Sequence, residues 1–205
     1  MIQNVRFALS LYGNFGEYEE RILEAINKIS RIFFVENAEI AYLDTALPIG
    51  EGQTISQPST VARMLQLLEL KHGEEVLEIG AGSGWNACLI AYLVKPGKIL
   101  SLERHEKLIG FAKRNLRKTQ IKNVKFKNQD FRKIKIKFDK IIFTAGINPG
   151  QEEIILDFAK KSLKEEGKLI CPFQAGSMII IDKKGEIFNK NYSLEEYSFV
   201  PLILE

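Results

Sequence analysis

The sequence predicts a doubly wound α/β sheet with helices on both faces. Three observations carry that prediction. Apolar runs of strand length alternate with segments whose apolar residues recur at helical spacing. The run Val76-Leu77-Glu78-Ile79 breaks into Gly80, Gly82 and Gly84 and then resumes as the helix-like Asn86–Leu93, the form of a buried strand, a tight turn and a helix. A further strand, Lys98–Leu102, ends in Glu103, about 20 residues past the glycines, where folds that bind nucleotide-like ligands place an acid.

In chain order, Glu17–Phe33 reads as a helix, with Ile22, Leu23, Ile26 and Ile29 at helical spacing and acids in the first turn. The pattern allows a second small helix around Glu39–Leu43. Ala46–Pro58 holds two prolines and two glycines in a mixed apolar and polar run, too irregular for a core element, and reads as an ordered functional loop. Pro58 suits the first turn of a helix whose face is Val61, Met64, Leu65 and Leu68. After the glycine strand come a basic amphipathic helix, Glu106–Lys118, and strands over Asn123–Lys127 and Phe138–Thr144. Glu152–Leu163 reads as a helix and Lys168–Pro172 as the fifth strand. Ser177–Asp182 and Glu186–Phe188 flank a Lys183-Lys184-Gly185 turn, and Tyr197–Leu202 reads as a final strand. Residues 1–205 form one expected domain: a helical segment with its loop to residue 70, then an α/β body with a hairpin-like end.

The glycine turn narrows the ligand. Its glycines permit positive φ and let backbone N–H groups approach a ligand where a Cβ would intrude. The helix that follows adds free N–H groups and the positive end of its dipole. A dinucleotide fingerprint would need glycine in place of Trp85, and a phosphate loop would need Gly-Lys-Ser/Thr. The pattern present, G-x-G-x-G, is the one used by S-adenosylmethionine (SAM) methyltransferases; the plainer alternative is a turn that only packs helix on strand. A carboxylate at Glu103 can accept from both ribose hydroxyls.

Composition sets bounds. At 45% hydrophobic, 205 residues support a substantial core. No apolar run approaches the ~20 residues of a membrane span, and Met1–Arg6 lacks a signal-peptide pattern. Cys88 and Cys171 sit apart in apolar segments, as free buried thiols do, and His72 and His105 have no second ligand at metal spacing. A reduced cytoplasm and no metal are expected. The net charge of +3 hides a block: Lys113–Lys140 holds twelve Lys/Arg against two Asp, a local +10, so the rest sums to −7. Such a block serves nucleic acid or an acidic partner in some proteins and is a solvated surface in more.

Ala46-Leu47-Pro48-Ile49-Gly50, Gly52-Gln53-Thr54-Ile55-Ser56-Gln57-Pro58 and Val61-Ala62-Arg63-Met64 resemble the protein-L-isoaspartate O-methyltransferase family. The resemblance continues through Val76–Gly84, Phe138–Ala145 and Phe199-Val200-Pro201-Leu202, and so covers nearly the whole chain. It implies a Rossmann-like fold and methyl transfer from SAM, leaving S-adenosylhomocysteine, to the free α-carboxylate of isoaspartyl residues in damaged proteins. The ester then collapses to a succinimide without the enzyme. By the same resemblance Gly80, Gly82 and Gly84 bracket the methionine half of SAM, with Glu78 counted in the cofactor-binding set. Glu103 holds the ribose, and Asp130 accepts from the adenine amino group. Ser56, with Thr54 beside it, lies near the methyl group and the substrate carboxylate as an orienting hydrogen bonder. The chemistry needs no general base, because an α-carboxyl with a pKa near ~3.5 is already ionised at pH 7. Isoaspartyl proteins are the implied partners, with no membrane and with a monomer as the expected unit.

Three places depart from the family pattern. Ser59-Thr60 follow Gln57-Pro58 where a bulky residue such as Tyr or His is common. Gln129-Asp130-Phe131 replaces Gly-Asp-Gly, and Gly146-Ile147-Asn148-Pro149 follows Thr144-Ala145. The first and third fall near the implied substrate cleft, and Phe131 at the adenine edge. Two rival readings share the fold: a SAM-dependent methyltransferase of RNA such as tRNA, to which the basic block would contribute phosphate contacts, and a SAM-binding relative without turnover.

Overall fold

The computed structural model describes residues 1–12 and 15–204. Helices α1 (Ile2–Ser10) and α2 (Glu17–Lys28) open the chain. Glu19 reaches back to the Gly16 N–H and so caps the start of α2, which turns Ile22, Leu23 and Ile26 inward. The helical pattern runs on to Phe33, yet α2 stops at Lys28. The Ile29 carbonyl accepts the Trp85 indole N–H at 3.0 Å, and a 3₁₀ turn, Arg31–Phe34, points Arg31 into the interior. The small helix over Glu39–Leu43 does not form. Ala41 and Leu43 give their carbonyls to the Arg31 guanidinium at 2.9 and 3.0 Å, and the segment is a run of turns.

The irregular loop carries a two-stranded ribbon, β1 (Leu47–Pro48) with β2 (Thr54–Ile55), anchored by buried Ile49 and Ile55. Helix α3 (Pro58–Leu68) starts on its proline, and Asp44 accepts from the Ser59 N–H at 2.9 Å, satisfying one open donor of its first turn from outside the helix.

The body then alternates: β3 (Glu75–Ile79), α4 (Trp85–Val94), β4 (Lys98–Glu103), α5 (Glu106–Leu116), β5 (Val124–Asn128), β6 (Phe138–Phe143), α6 (Glu152–Ser162) and β7 (Leu163–Pro172). A short β8 (Ala175–Gly176) precedes the hairpin β9 (Met178–Lys184) and β10 (Ile187–Tyr192), and β11 (Tyr197–Ser198) ends the series. Among the described residues, seven strands form the central sheet in the order β10-β9-β7-β6-β3-β4-β5. Strands β3 to β7 are parallel, and β9 and β10 are antiparallel. The chain moves outward from β3 to β5 and then returns to β6 on the other side of β3. That reversal opens a crevice at the carboxyl ends of the strands, where open α/β sheets bind ligands.

Alternation along each strand divides the interior in two. Val76, Ile142 and Ile170 face a core shared with α1 to α5, whereas Leu77, Phe143 and Leu169 face one shared with α6. Helix α4 is apolar all round because it lies between the sheet and α2, and Trp85, 1% exposed, is its first residue.

Two boundaries differ from the sequence pattern. Strand β7 begins at Leu163, directly after α6, with a register shift opposite Phe138 and Lys140 that Lys168 then corrects. The closing strand shrinks to Tyr197–Ser198, paired with β8 outside the main sheet. Beyond it the chain crosses the sheet end as a strap, with Gly146 N–H donating to the Val200 carbonyl and Leu202 N–H to the Gly146 carbonyl. No helix among the described residues is long and apolar enough to cross a membrane.

Candidate active site

The glycine turn sits at the crevice, and its glycines do different work. Gly80 has φ +102°, and a Cβ there would stand 2.3 Å from Thr144 Oγ1. That hydroxyl is itself fixed, 2.6 Å from the Gly80 carbonyl oxygen, to which it donates. Gly84 (φ +87°) faces the other way: a Cβ would press on Phe126 and Ala112 at 3.0 and 3.1 Å, so this glycine lets α5 and β5 close on the turn. Gly80 and Gly82 line the crevice, and Gly84 does not.

Glu103, 7% exposed, is held rigidly at the end of β4. Its Oε2 accepts from Gly82 N–H at 2.9 Å, and its Oε1 accepts from the N–H groups of Arg104 and His105 at 2.8 and 3.0 Å. A cavity of about 420 Å³ runs from this carboxylate past Gly80 and Gly82 to Asp130, under the strap Val200–Ile203. The Arg132 guanidinium grips Asp130 and holds its carboxyl below the usual carboxylate range. Arg132 also donates to the Leu204 carbonyl at 2.7 Å, tying the end of the chain to this wall. Phe131 is buried edge-on against Phe143 and Phe158, which accounts for an aromatic side chain where a glycine is common.

A second cleft, about 290 Å³, lies between the β2 end of the loop and Glu196–Val200, and holds Ser56, Thr54 and Thr60. A void of about 40 Å³ behind it adds Asn86 and Trp85 to Gly80, Gly82, Thr54 and Ser56. Thr54 and Thr144 line all three spaces. Thr144 is thus the junction, a position that no motif spacing marked. Of the departures, Thr60 lines the second cleft, while Ser59 Oγ accepts from Gln57. The Gly146 segment lies beside that cleft without lining it, its N–H donating to the carbonyl of Val200, which does line it. A Cβ on Gly146 would stand 2.5 Å from Gln174 N, so glycine there lets the loop after β6 pack closely on the β7–β8 turn.

Glu78 lies beneath the turn, fully buried, and lines none of these spaces. One of its oxygens accepts from Ser101 Oγ and the other from Asn86 Nδ2 at 2.9 Å. That bond fixes the Asn86 amide so that its Oδ1 is buried without a partner. Sequence spacing gave no sign of Asn86. Burial pushes the Glu78 carboxyl up to about 7, against the two hydrogen bonds, with the Glu103 charge adding to the rise. A carboxyl whose folded pKa lies above its unfolded value near 4.5 holds its proton more tightly when folded. Its contribution is therefore full below about pH 4.5 and is lost as pH rises through 7. Glu78→Gln, neutral at every pH, is expected to raise stability relative to the parent by up to ~3 kcal/mol at pH 8 and by little at pH 5. Denaturant midpoints at the two pH values measure this, and an equal shift at both would refute it.

A parallel sheet whose first core strand ends in this glycine turn, with a fixed acid at the end of the next, defines a SAM-dependent methyltransferase. A solved structure from Plasmodium falciparum, described as a putative protein-L-isoaspartate O-methyltransferase in complex with S-adenosyl-L-homocysteine, matches with a TM-score of 0.79 at 25% identity, covering 99% of this chain and 98% of that one. The chain belongs to the protein-L-isoaspartate(D-aspartate) O-methyltransferase family, whose model matches residues 11–205. The protein-L-isoaspartate O-methyltransferase of Pyrococcus abyssi is 41% identical over 195 residues, with 90% of this chain and 87% of that protein covered. That of Vibrio campbellii is 38% identical, covering 92% and 90%. Another solved protein-L-isoaspartate O-methyltransferase, 29% identical, gives a TM-score of 0.80 over 98% of this chain and 66% of that longer one.

Proposed function

We propose that this chain transfers the methyl group of SAM to the free α-carboxylate of isoaspartyl residues in proteins, and so initiates their repair. The observation that carries the reading is the meeting of the glycine-turn cavity and the Ser56 cleft at Thr54 and Thr144. Cofactor and substrate then approach one point from two sides.

The cavity fits the cofactor: Gly80 leaves open a space that a Cβ would fill, Glu103 is a fixed acceptor, and Asn86 Oδ1 is an acceptor in want of a donor. Glu103 would take the ribose hydroxyls, Asp130 the adenine amino group, and Asn86 Oδ1 the ammonium of the methionine end. Glu78 then acts through Asn86 by holding its amide in place. When bound, SAM supplies an electrophilic methyl group on a sulfonium. The chain has to orient an ionised carboxylate towards it and keep water out. Ser56 and Thr54 donate to that carboxylate, and the strap Val200–Ile203 shields the cavity. A reduced cytoplasm and a monomeric unit belong to the same reading. Its support for the first is two buried free thiols, with burial pushing Cys88 up to about 12.

The test is transfer of labelled methyl from SAM to an isoaspartyl peptide and to the matched aspartyl peptide. Base-labile label on the isoaspartyl peptide alone is expected. Label on neither, with SAM still bound, overturns the reading and directs the assay to tRNA. Ser56→Ala is expected to lower kcat/KM for the peptide about tenfold, the worth of one hydrogen bond, with cofactor affinity unchanged. A matching fall in cofactor affinity would remove Ser56 from its substrate role.

A further inference from the structure

Most of the basic block lies away from the site, and part of it builds a separate concavity. A groove of about 990 Å³, more than twice the volume of the glycine-turn cavity, opens at the amino ends of β4 and β5. Six exposed lysines line it: Lys28, Lys95, Lys98, Lys118, Lys122 and Lys125. The lining contains no aspartate, glutamate or arginine. None of the six forms an ion pair among the described residues. Lys118 Nζ donates only weakly, to Asn115 Oδ1 at 3.4 Å, and the nearby Glu24 accepts from the Tyr92 hydroxyl at 2.7 Å. Between the charges lies an apolar floor of Ile29, Phe33, Pro96 and Ile121, with Phe33 37% exposed.

A concave surface of one sign focuses the field on an oppositely charged partner. Three features select a polypeptide over a nucleic acid. The groove lacks arginine, the side chain that stacks on bases and forks onto phosphates. It offers one exposed aromatic ring where single-stranded binders use several. Its wall includes Val124 and Lys125 of β5, an edge strand that pairs on one side only and so presents main-chain groups to an extended chain. Strand β5 runs from the groove to Asn128, which lines the glycine-turn cavity. Five residues of strand span roughly 17 Å, so an extended polypeptide along β5 reaches the cofactor side of the crevice, which joins the Ser56 cleft at Thr54 and Thr144.

We infer that this lysine groove is a docking site for acidic, unfolded polypeptide flanking the residue to be methylated. The inference rests on the proposed protein substrate, and it adds to that reading a preference for acid-rich damaged chains and a dependence on ionic strength. Charge at the groove raises the encounter rate and leaves the chemical step unaltered.

The test compares two isoaspartyl peptides joined by a flexible linker of about ten residues to a tail of about eight aspartates or eight serines. At low ionic strength the aspartate tail is expected to raise kcat/KM about tenfold, an advantage lost at about 0.5 M salt. The triple variant Lys28→Gln, Lys98→Gln, Lys125→Gln is expected to abolish the advantage and to leave the serine-tailed peptide unaffected. An advantage that survives the triple variant, or never appears in the parent, overturns the docking site. The same holds if labelled oligouridylate binds the groove more tightly than the labelled aspartate tail in fluorescence anisotropy. If the parent methylates neither peptide yet binds the free aspartate tail in a lysine-dependent way, the groove stands as an acidic-chain site and the proposed methylation fails.

Discussion

Gly80→Ala is expected to abolish cofactor binding, lowering affinity for S-adenosylhomocysteine by at least about a hundredfold, and to destabilise the fold by ~3 kcal/mol. The backbone at φ +102° lies outside the region that residues with a Cβ adopt readily, at a cost on the order of 1–3 kcal/mol. The new methyl would also stand 2.3 Å from Thr144 Oγ1, far inside contact distance. Thr144 would have to give up its hydroxyl's one donated proton, which goes to the Gly80 carbonyl with the Ile79 carbonyl as a weaker alternative, at about 1 kcal/mol. Either the turn shifts or Thr144 does, and both line the cavity. Titration calorimetry with S-adenosylhomocysteine measures the loss, and near-normal affinity would exclude the cradle role. Gly84→Ala is the control: its Cβ meets Phe126 and Ala112, so stability falls while the folded fraction keeps its affinity. Adding Thr144→Ala to Gly80→Ala should recover part of the loss, since the two positions are in contact.

Arg31→Met is expected to cost ~3–5 kcal/mol, lowering Tm by roughly 10 °C for a chain of this size. Arg31 is fully buried and donates to four carbonyls, those of Ala41, Leu43, Thr45 and Ser56, at 2.9–3.1 Å. Its guanidinium also lies over the Trp85 ring, 5.4 Å from the centroid. Burial pulls its pKa down to about 10, which still leaves it charged at neutral pH. Methionine fills a similar volume but strands these acceptors, and charge-assisted bonds are the costly ones to lose. Arg31→Lys should rescue little, because one ammonium cannot reach four carbonyls spread over residues 41–56. Since one of those carbonyls belongs to Ser56, methyl transfer should fall beyond what unfolding explains. An unchanged melting temperature would sink the clamp.

Much of the candidate site was legible because its signals are local. A glycine turn between an apolar strand and a helix announces positive φ and open N–H groups wherever it occurs. An acid at the end of the following strand is fixed by the length of one helix and one strand, which is why Glu103 could be singled out from spacing. Thr144 and Asn86 carried no such mark. Thr144 meets Gly80 across 64 residues of chain, and Asn86 matters only because Glu78, eight residues earlier, takes one end of its amide. Gly84 shows the converse. The motif groups it with Gly80, but its reason lies in Phe126 and Ala112, on elements that pack behind the turn.

The fold class, the order of strands and helices in the body, the glycine turn and the family loop were all readable from residues adjacent in the chain. All of these follow from hydrophobic period, glycine placement and short motifs, which are properties of neighbouring residues. Tertiary structure alone decided where α2 ends, since Trp85 and Arg31 claim the backbone that would have continued the helix. It also decided that the last segment becomes a strap instead of a sheet strand, and that lysines from α2, β4, β5 and two loops meet in one groove. Each of those outcomes depends on a contact between residues distant in sequence. Local periodicity holds no record of such contacts, because the chain pays for them only when it closes.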